Sequence, residues 1–198
     1  MMKKLIFEGP KINRKEILRY ARVMEETPEI SALLDECIEE SKNVLVYRVC
    51  YAVLPIKRTD DGLILDTICT SSDHLSKALS GCDEAIVFAA TVGTEYDRLI
   101  LRYSRLSPSK AMMLQALGAE RVESLCEAFC EQMNTQLNVD GKSLRTRVSP
   151  GYGDISLTMQ KDIFAILDCE RKIGITLNED LLMSPSKSVT AIAGIKKN

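Results

Sequence analysis

Histidine and tryptophan are scarce in this sequence of 198 residues, which contains one histidine and no tryptophan. The single histidine, His74, stands in "SSDHLSKAL", in the first turn of a predicted helix and at a solvated surface position. A Ser-His-Asp or Cys-His catalytic arrangement would have to use this one residue. Ligand spacing typical of a zinc site is also lacking. If the protein performs chemistry, we expect a small-molecule cofactor to supply it.

Long apolar runs, an excess of one charge and closely paired cysteines are lacking as well. No segment approaches the roughly 18 apolar residues that suggest a membrane span, and the start, "MMKKLIFEGP", lacks the apolar stretch of a signal peptide. The net charge is -2, without the basic stripe of a nucleic-acid-binding protein. The seven cysteines include no CxxC pair, which favours buried, reduced thiols. We therefore expect a cytoplasmic protein that binds neither nucleic acid nor a membrane.

Apolar periodicity predicts helices and strands in an irregular order. The predicted helices are 13–26, a helix that begins after the cap Thr27, 72–79, 94–103, 107–137 and 156–172. The predicted strands are 43–56, its hairpin partner "LILDTI" (63–68), 84–93 and 187–195. Because strands and helices do not alternate regularly, we predict an α+β fold with a largely antiparallel sheet flanked by helices. We expect a single domain over 1–198, with an N-terminal helical part at 1–42 and the sheet and remaining helices in 43–198.

Two details of the predicted helices concern packing. Gly118 lies in the middle of the longest helix, where glycine costs about 1 kcal/mol relative to alanine, and it indicates a close contact. Gln160 shares the buried face of the last helix with Ile163, Phe164 and Leu167.

The segment "TRVSPGYGD" (146–154) cannot continue as a helix or a regular strand. Pro150 and Gly151 are typical of a type II turn, in which glycine supplies the positive φ. Arg147 could hold a carboxylate through two parallel hydrogen bonds, and Tyr152 could cover an apolar or cationic group with its ring. The same residues also suit a plain connection between a strand and a helix.

Glu127 leaves a similar choice open. It lies on the longest predicted helix, near the buried stripe and about one turn before Cys130 and Glu131. A glutamate there is either a solvated flank or a side chain turned inward to hold a ligand ammonium group.

Several of these motifs together resemble a known family. "RVSPGYGD", followed by "MQKDIFAILDCERKIGITLNEDLLMSPSKSVTAIAGI", resembles the activation domain of cobalamin-dependent methionine synthase. The stretches "VFAATVG" and "AERVESLCEAFCEQM" are similar to the preceding part of that domain. The resemblance runs from about Glu84 to Gly194, whereas the first eighty residues look closer to short stand-alone relatives.

The resemblance implies a function as well as an unusual α+β fold around an antiparallel sheet. Domains of this family bind S-adenosylmethionine and dock on the cobalamin-binding domain. When the cofactor has been oxidised to cob(II)alamin, an electron from a flavodoxin-type donor and a methyl group from S-adenosylmethionine restore methylcobalamin. A sulfonium methyl group is already activated, so the protein needs to align donor and acceptor and needs no acid or base.

The resemblance also assigns ligand-binding residues. Arg147 matches the motif arginine that holds the methionine carboxylate, and Ser149 and Gly151 match positions whose backbone lines the ligand. Tyr152 matches a tyrosine placed near the ligand and the corrin, and Glu127 aligns with a glutamate that holds the ligand ammonium.

The last strand departs from the family, because Ala193 and Gly194 occupy positions where the full-length synthase has an aromatic pair beside the ligand. The expected function is a stand-alone activation subunit for a methionine synthase whose own chain lacks this domain. The alternatives are a non-catalytic docking module for a corrinoid protein and a reactivator of another corrinoid methyltransferase.

Overall fold

The computed structural model describes residues 2–198, which form seven helices and ten strands. The helices are α1 (Arg14–Tyr20), α2 (Pro28–Ser41), α3 (Asp73–Ala78), α4 (Thr94–Leu106), α5 (Pro108–Asn138), α6 (Met159–Leu167) and α7 (Cys169–Ile173). The strands are β1 (Lys3–Phe7), β2 (Tyr47–Pro55), β3 (Lys57–Thr59), β4 (Gly62–Leu65), β5 (Ile68–Thr70), β6 (Glu84–Thr91), β7 (Lys142–Leu144), β8 (Thr176–Leu177), β9 (Met183–Ser184) and β10 (Ser188–Lys197).

The main sheet has five strands in the order β1-β2-β6-β10-β7, and every neighbouring pair is antiparallel. The small strands form two further antiparallel sheets, β3-β4-β5 and β8-β9. The α+β prediction is therefore confirmed. The strands predicted at 84–93 and 187–195 are β6 and β10, which pair with each other along most of their length.

Both faces of the main sheet are covered, which explains why β6 is apolar along nearly its whole length. On one face, Phe88 of β6 packs on Phe129 of α5, with ring centroids 4.7 Å apart. On the other face, Val87 belongs to a core cluster that includes Ile163 of α6 and Ile173 of α7. The sheet is thus enclosed between α5 on one side and α6 and α7 on the other.

Gly118 confirms the close contact that its position in α5 predicts. A Cβ atom at this residue would lie 2.4 Å from Cε1 of Tyr96, whose fully buried ring comes from α4. The Tyr96 hydroxyl donates a hydrogen bond to the Leu114 carbonyl at 2.8 Å, so the ring has little room to move. This position therefore tolerates only glycine.

A buried ion pair on α5 holds the N-terminal segment in place. The guanidinium of Arg121 contacts the carboxylate of Glu120 at 2.6 Å, and both side chains are almost fully buried. Arg121 also donates to the backbone carbonyls of Pro10 and Lys11. The Glu120 carboxylate accepts a hydrogen bond from the backbone N–H of Asn13 at 3.0 Å. Because Asn13 caps α1, these bonds fix the start of α1 against α5.

The predicted hairpin of 43–56 with "LILDTI" is wrong. Strand β2 pairs with β1 and β6 in the main sheet, whereas β4 pairs with β3 and β5 in a separate sheet. Four consecutive residues of β2, from Val49 to Ala52, are buried and require cover on both faces, which the interior of the main sheet supplies. The turn at 60–61 then closes only the short hairpin of β3 and β4.

Three further boundaries differ from prediction. The N-terminal part is not purely helical, because β1 pairs with β2. The helix predicted at 13–26 ends at Tyr20, since Arg22 has a φ of 55° that is incompatible with an α-helix. The helix predicted at 156–172 is divided into α6 and α7 at Asp168, which has a φ of 49°.

Candidate functional site

The segment after β7 folds into the turn that its sequence predicts. The Tyr152 amide donates to the Ser149 carbonyl at 3.2 Å, with Pro150 and Gly151 at the two central positions. Gly151 has a φ of 89°, as the second central residue of a type II turn requires. A bond from the Gly151 amide to the Ile155 carbonyl at 2.8 Å closes the loop. The type II turn is therefore confirmed.

The loop diverges from the main sheet just before this turn. Val148 and Ile192 exchange two backbone hydrogen bonds of 2.8 and 2.9 Å, which extend the ladder between the segment after β7 and strand β10. Towards the loop, no backbone hydrogen bond within residues 2–198 joins Thr190 to the neighbouring segment. A gap consequently opens between the loop and the first residues of β10.

Asp154 fastens the far end of the loop to α3. Its carboxylate accepts hydrogen bonds from the Ser72 hydroxyl, from the Asp73 amide at 2.7 Å and from the His74 amide at 3.1 Å. The Ser72 bond, followed by the two amides, lowers the pKa of the Asp154 carboxyl against the opposing effect of desolvation. Gly153, with a φ of 60°, lies so close to His74 that a Cβ atom would come within 2.9 Å of Nδ1.

A cavity of about 740 Å³ occupies the gap between this loop and the rest of the fold. The loop and its approach contribute Arg147, Ser149 and Tyr152 among other residues. Six other elements also contribute lining residues, namely Tyr20 from α1, His74 from α3, Glu123 from α5, Gln160 from α6, Met183 from β9, and Ser188, Val189 and Thr190 from β10. The cavity therefore lies at the junction of the sheet edge with both helical layers.

A charged pair lies on the wall of this cavity. The Arg147 guanidinium donates a hydrogen bond to the Glu123 carboxylate, and the two side chains are 23% and 37% exposed. A cation and an anion side by side in a partly desolvated cavity can bind a ligand that carries both charges, such as the amino and carboxylate groups of an amino acid.

Gln160 lies on the same cavity and is 5% exposed. Its Oε1 atom has no hydrogen-bond partner within the described part of the chain. A buried acceptor without a partner costs about 1–3 kcal/mol, and such groups in native proteins call for an explanation. The sequence alone indicates that Gln160 is an unusual buried polar residue, because it is the polar member of an otherwise apolar helix face.

Tyr20 brings an aromatic ring to the cavity from the N-terminal region. It is 37% exposed, and the guanidinium of Arg19 lies 4.6 Å from the centre of its ring. Burial, and then the negative charge of Glu123, raise the pKa of the Tyr20 hydroxyl. The charge of Glu123 therefore acts on the Tyr20 hydroxyl. The sequence around Tyr20 does not indicate a binding site.

The structure brings together only some of the residues that the sequence assigns to the site. Arg147, Ser149 and Tyr152 line the cavity, and Gly151 forms the adjacent turn without lining it. Glu127 is exposed and lies outside the lining, since Glu123, four residues earlier on α5, takes the position beside Arg147. The geometry supports Glu123 as the acidic member of the site.

Ala193 and Gly194 are buried in β10 and are not part of the cavity lining. A Cβ atom on Gly194 would lie 2.7 Å from the Sγ atom of Cys82 and 3.1 Å from a methyl carbon of Leu79. These two residues of β10 therefore contribute to core packing, and their contact with a ligand stays a prediction.

A second cavity of about 530 Å³ lies between β1, α2 and α5. It is lined mostly by apolar side chains together with Tyr47 and Arg48, and it contains none of the residues that the sequence assigns to ligand binding. Within residues 2–198, no three His, Cys, Asp or Glu side chains form a group that could hold a metal ion. The helices of this part of the chain are all too short or too polar to cross a membrane.

The fold and the cavity define a class of α+β domain in which a Pro-Gly-Tyr turn closes a charged cavity at the edge of an antiparallel sheet. The sequence profile of the vitamin B12-dependent methionine synthase activation domain matches residues 57–197. The chain belongs to this family. The match begins well before Glu84, so the resemblance extends further towards the N-terminus than the quoted motifs indicate.

The same fold is found in a solved structure. A crystal structure described as the MetH reactivation domain bound to AdoHcy superposes with a TM-score of 0.69 at 17% sequence identity, over 98% of this chain and 78% of that one. The fold likeness thus includes the N-terminal region that the family profile leaves out. No curated protein matched the chain.

Proposed function

We propose that this chain is an activation subunit that binds S-adenosylmethionine in the cavity beside Arg147 and supports the reductive methylation of cob(II)alamin carried by a partner protein. The observation that carries the proposal is the Arg147–Glu123 pair on the cavity wall below the Pro-Gly-Tyr turn. Membership of the activation-domain family and the AdoHcy bound to the related MetH domain support the same ligand class. Residues 1–198 act as one unit in this proposal, because α1 and α5 both contribute to the cavity.

The charged pair suits the amino-acid end of the ligand. The ligand carboxylate would bind the Arg147 guanidinium, and its ammonium group would bind the Glu123 carboxylate. Each partner of the present ion pair would exchange one charged hydrogen bond for another, so neither charge would be left buried without a counterion.

The two tyrosines suit the sulfonium end. Tyr20 lines the cavity and Tyr152 is 70% exposed at its rim, so the rings can approach a cation from different sides. The exposed ring of Tyr152 also offers a contact for the partner protein that carries the corrinoid. Methyl transfer from the sulfonium to the reduced corrinoid releases S-adenosylhomocysteine, and this chain only has to hold the donor in line.

The ligand-binding part of the proposal is tested by calorimetric titration of S-adenosylmethionine and S-adenosylhomocysteine into the purified chain and its Arg147→Ala variant. We expect binding that the substitution weakens by about 1.5–3 kcal/mol, the scale of a hydrogen bond to a charged group. Arg147→Lys is the matched control that keeps the charge and loses the fork geometry. Equal affinity of the wild type and Arg147→Ala would contradict the assignment.

The reactivation part is tested with a cobalamin-dependent methionine synthase whose chain lacks an activation domain. The enzyme is oxidised to the cob(II)alamin form, and a flavodoxin-type reductant and S-adenosylmethionine are added with or without this chain. We expect methylcobalamin, followed by its absorption spectrum, to return only when the chain and S-adenosylmethionine are both present. Recovery that does not depend on the chain would contradict the proposal.

A second candidate is a non-catalytic docking module for a corrinoid protein. The observation that favours it is that Ala193 and Gly194, which replace the aromatic pair of the full-length synthase, are buried in β10 and do not line the cavity. Capture of a corrinoid protein that is unchanged by Arg147→Ala and by S-adenosylmethionine would support this candidate. Reactivation of a different corrinoid methyltransferase would be recognised by the same spectral assay with that enzyme as the partner.

A further inference from the structure

Strand β1 forms one edge of the main sheet. It pairs with β2 from Lys3 to Phe7, and no other strand of residues 2–198 pairs with its free side. The strand at the opposite edge, β7, has only three residues. A free edge presents a row of unpaired backbone N–H and C=O groups, which can pair with another extended chain. Strand β1 is therefore the longer of the two edges on which a further strand can add to the main sheet.

An apolar side chain lies exposed on this edge. Ile6 is 74% exposed, and together with Phe7 it lines the cavity of about 530 Å³ between β1, α2 and α5. Leu5 and Phe7 alternate with Ile6 and pack against the core cluster that contains Phe129 of α5. One face of β1 is thus covered by its own chain, whereas Ile6 on the other face is left open.

Two charged residues flank Ile6 on the same face. Side chains alternate along an extended chain, so Lys4 and Glu8 point to the side of Ile6. Both are exposed, and neither forms an ion pair within the part of the chain that the structure describes. Lysines on an edge strand ordinarily oppose further pairing. That effect depends on what lies opposite the lysine, because an acidic residue there would attract it.

The order of Lys4, Ile6 and Glu8 is complementary to itself. When a second copy of β1 approaches antiparallel with its Ile6 opposite Ile6, Lys4 faces Glu8 of that copy and Glu8 faces its Lys4. On the other face, Leu5 meets Phe7 of the second copy. Opposite charges and apolar pairs placed directly across two strands are stabilising. Pairing centred on Leu5 would instead place Lys4 opposite an isoleucine and leave its charge without a partner.

We propose that β1 binds β1 of a second copy of this chain, antiparallel and related by a twofold axis through Ile6. The two five-stranded sheets then join into one continuous sheet, and the interface is closed, as in most symmetric dimers. A contact of one short strand is small for a stable interface, so the dimer should be weak and dependent on concentration. Strand β1 contributes no residue to the cavity beside Arg147, so this proposal is independent of the function proposed above.

Sedimentation velocity from micromolar to millimolar protein measures the equilibrium, with any purification tag placed at the C-terminus. The wild type should change from monomer to dimer across this range. Lys4→Glu and Glu8→Lys each place like charges opposite one another twice, and each should raise the dissociation constant about tenfold or more. The double variant Lys4→Glu/Glu8→Lys restores both pairs in reversed order and should return the dissociation constant to near the wild-type value.

A second pair of variants tests the apolar centre of the interface. Ile6→Lys places two lysines opposite each other on the axis and should abolish the dimer. Leu106→Lys is the matched control, because Leu106 is 67% exposed at the end of α4, and this variant should dimerise as the wild type does. The melting temperatures of the variants should equal that of the wild type, since the altered side chains are exposed.

Four results would overturn the proposal. The first is a wild type that stays monomeric throughout the concentration range. The second is a dimer that Ile6→Lys leaves intact, and the third is a dimer that Leu106→Lys weakens as much as Ile6→Lys does. The fourth is a double variant no stronger than Lys4→Glu or Glu8→Lys alone, which would show that the two charges do not face each other across the axis.

Discussion

Glu123 and Arg147 are joined by a hydrogen bond on the wall of the cavity although they lie 24 residues apart in the chain. One residue belongs to the long helix α5 and the other to the segment that leads into the Pro-Gly-Tyr turn. The position of the site therefore depends on the register of a helix against a loop.

The first prediction concerns the position of Glu123 beside Arg147. Glu123→Gln should weaken the binding of S-adenosylhomocysteine by about 1.5–3 kcal/mol, because the ligand ammonium loses its charged partner. Glu127→Gln is the matched control: it lies one turn further along the same helix and is exposed outside the cavity. Calorimetric titration of both variants checks the prediction, and a larger loss with Glu127→Gln would contradict it.

The second prediction concerns the aromatic ring that α1 brings to the cavity. Tyr20→Leu should weaken the binding of S-adenosylmethionine by about 0.5–2 kcal/mol, the range of a cation–π contact, and affect the uncharged thioether product much less. Tyr20→Phe keeps the ring and should bind both ligands as the wild type does. An equal loss for both ligands in Tyr20→Leu would show that the ring acts through packing alone.

The third prediction concerns pH and the anchor of the loop on α3. The hydrogen bond from Ser72 and the α3 amides lower the pKa of Asp154 in the folded chain, so its ionised form stabilises the fold above the unfolded-state pKa of about 3.9. This contribution is lost as the pH falls through the lower, folded-state pKa. Asp154→Asn should therefore reduce the melting temperature at neutral pH, and its difference from the wild type should shrink below about pH 4.

Melting curves recorded from pH 7 downwards measure that difference directly. Asp61→Asn is a suitable control, since Asp61 lies in the exposed turn between β3 and β4. A difference between Asp154→Asn and the wild type that stays constant into the acid range would mean that the carboxylate charge is not responsible.

The fourth prediction concerns the ion pair that holds the N-terminal segment. Glu120→Gln leaves the buried Arg121 without its counterion and should destabilise the fold by about 3–5 kcal/mol. Glu39→Gln breaks the exposed pair with Lys42 and should cost less than about 1 kcal/mol. Urea denaturation of the two variants gives both free energies of unfolding, and similar values would refute the structural role of the buried pair.

Much of the fold could be predicted because its main elements carry strong local signals. Strand β6 is apolar on both faces, and α5 has a long periodic stripe, so both were predicted within a few residues. Strand β1 was missed because it is short and mostly exposed or half-buried. The predicted partner of β2 is wrong because the turn residues at 58–62 favour a hairpin but do not specify which strands the hairpin joins.

The candidate site was predictable only where the local sequence shapes the backbone. Pro150 and Gly151 indicate the turn by their own conformational preferences. Glu123 and Glu127 share one face of α5, and only the tertiary position of Arg147 distinguishes them. Tyr20 reaches the cavity because the Glu120–Arg121 pair holds the start of α1 against α5, which is a contact that no local pattern encodes.

The ladder between β10 and its neighbouring segment ends at the Val148–Ile192 pair, and this early end has a dynamic consequence. Thr190 lies one rung beyond the last backbone bond, so its amide proton has only the cavity to face. A ligand atom that accepts a hydrogen bond from this amide would act as a non-peptide rung of the sheet and would slow the exchange of its proton with deuterated solvent. The exchange rate of this one backbone amide would then report whether the ligand is bound, because the ligand extends the sheet by one hydrogen-bonded position.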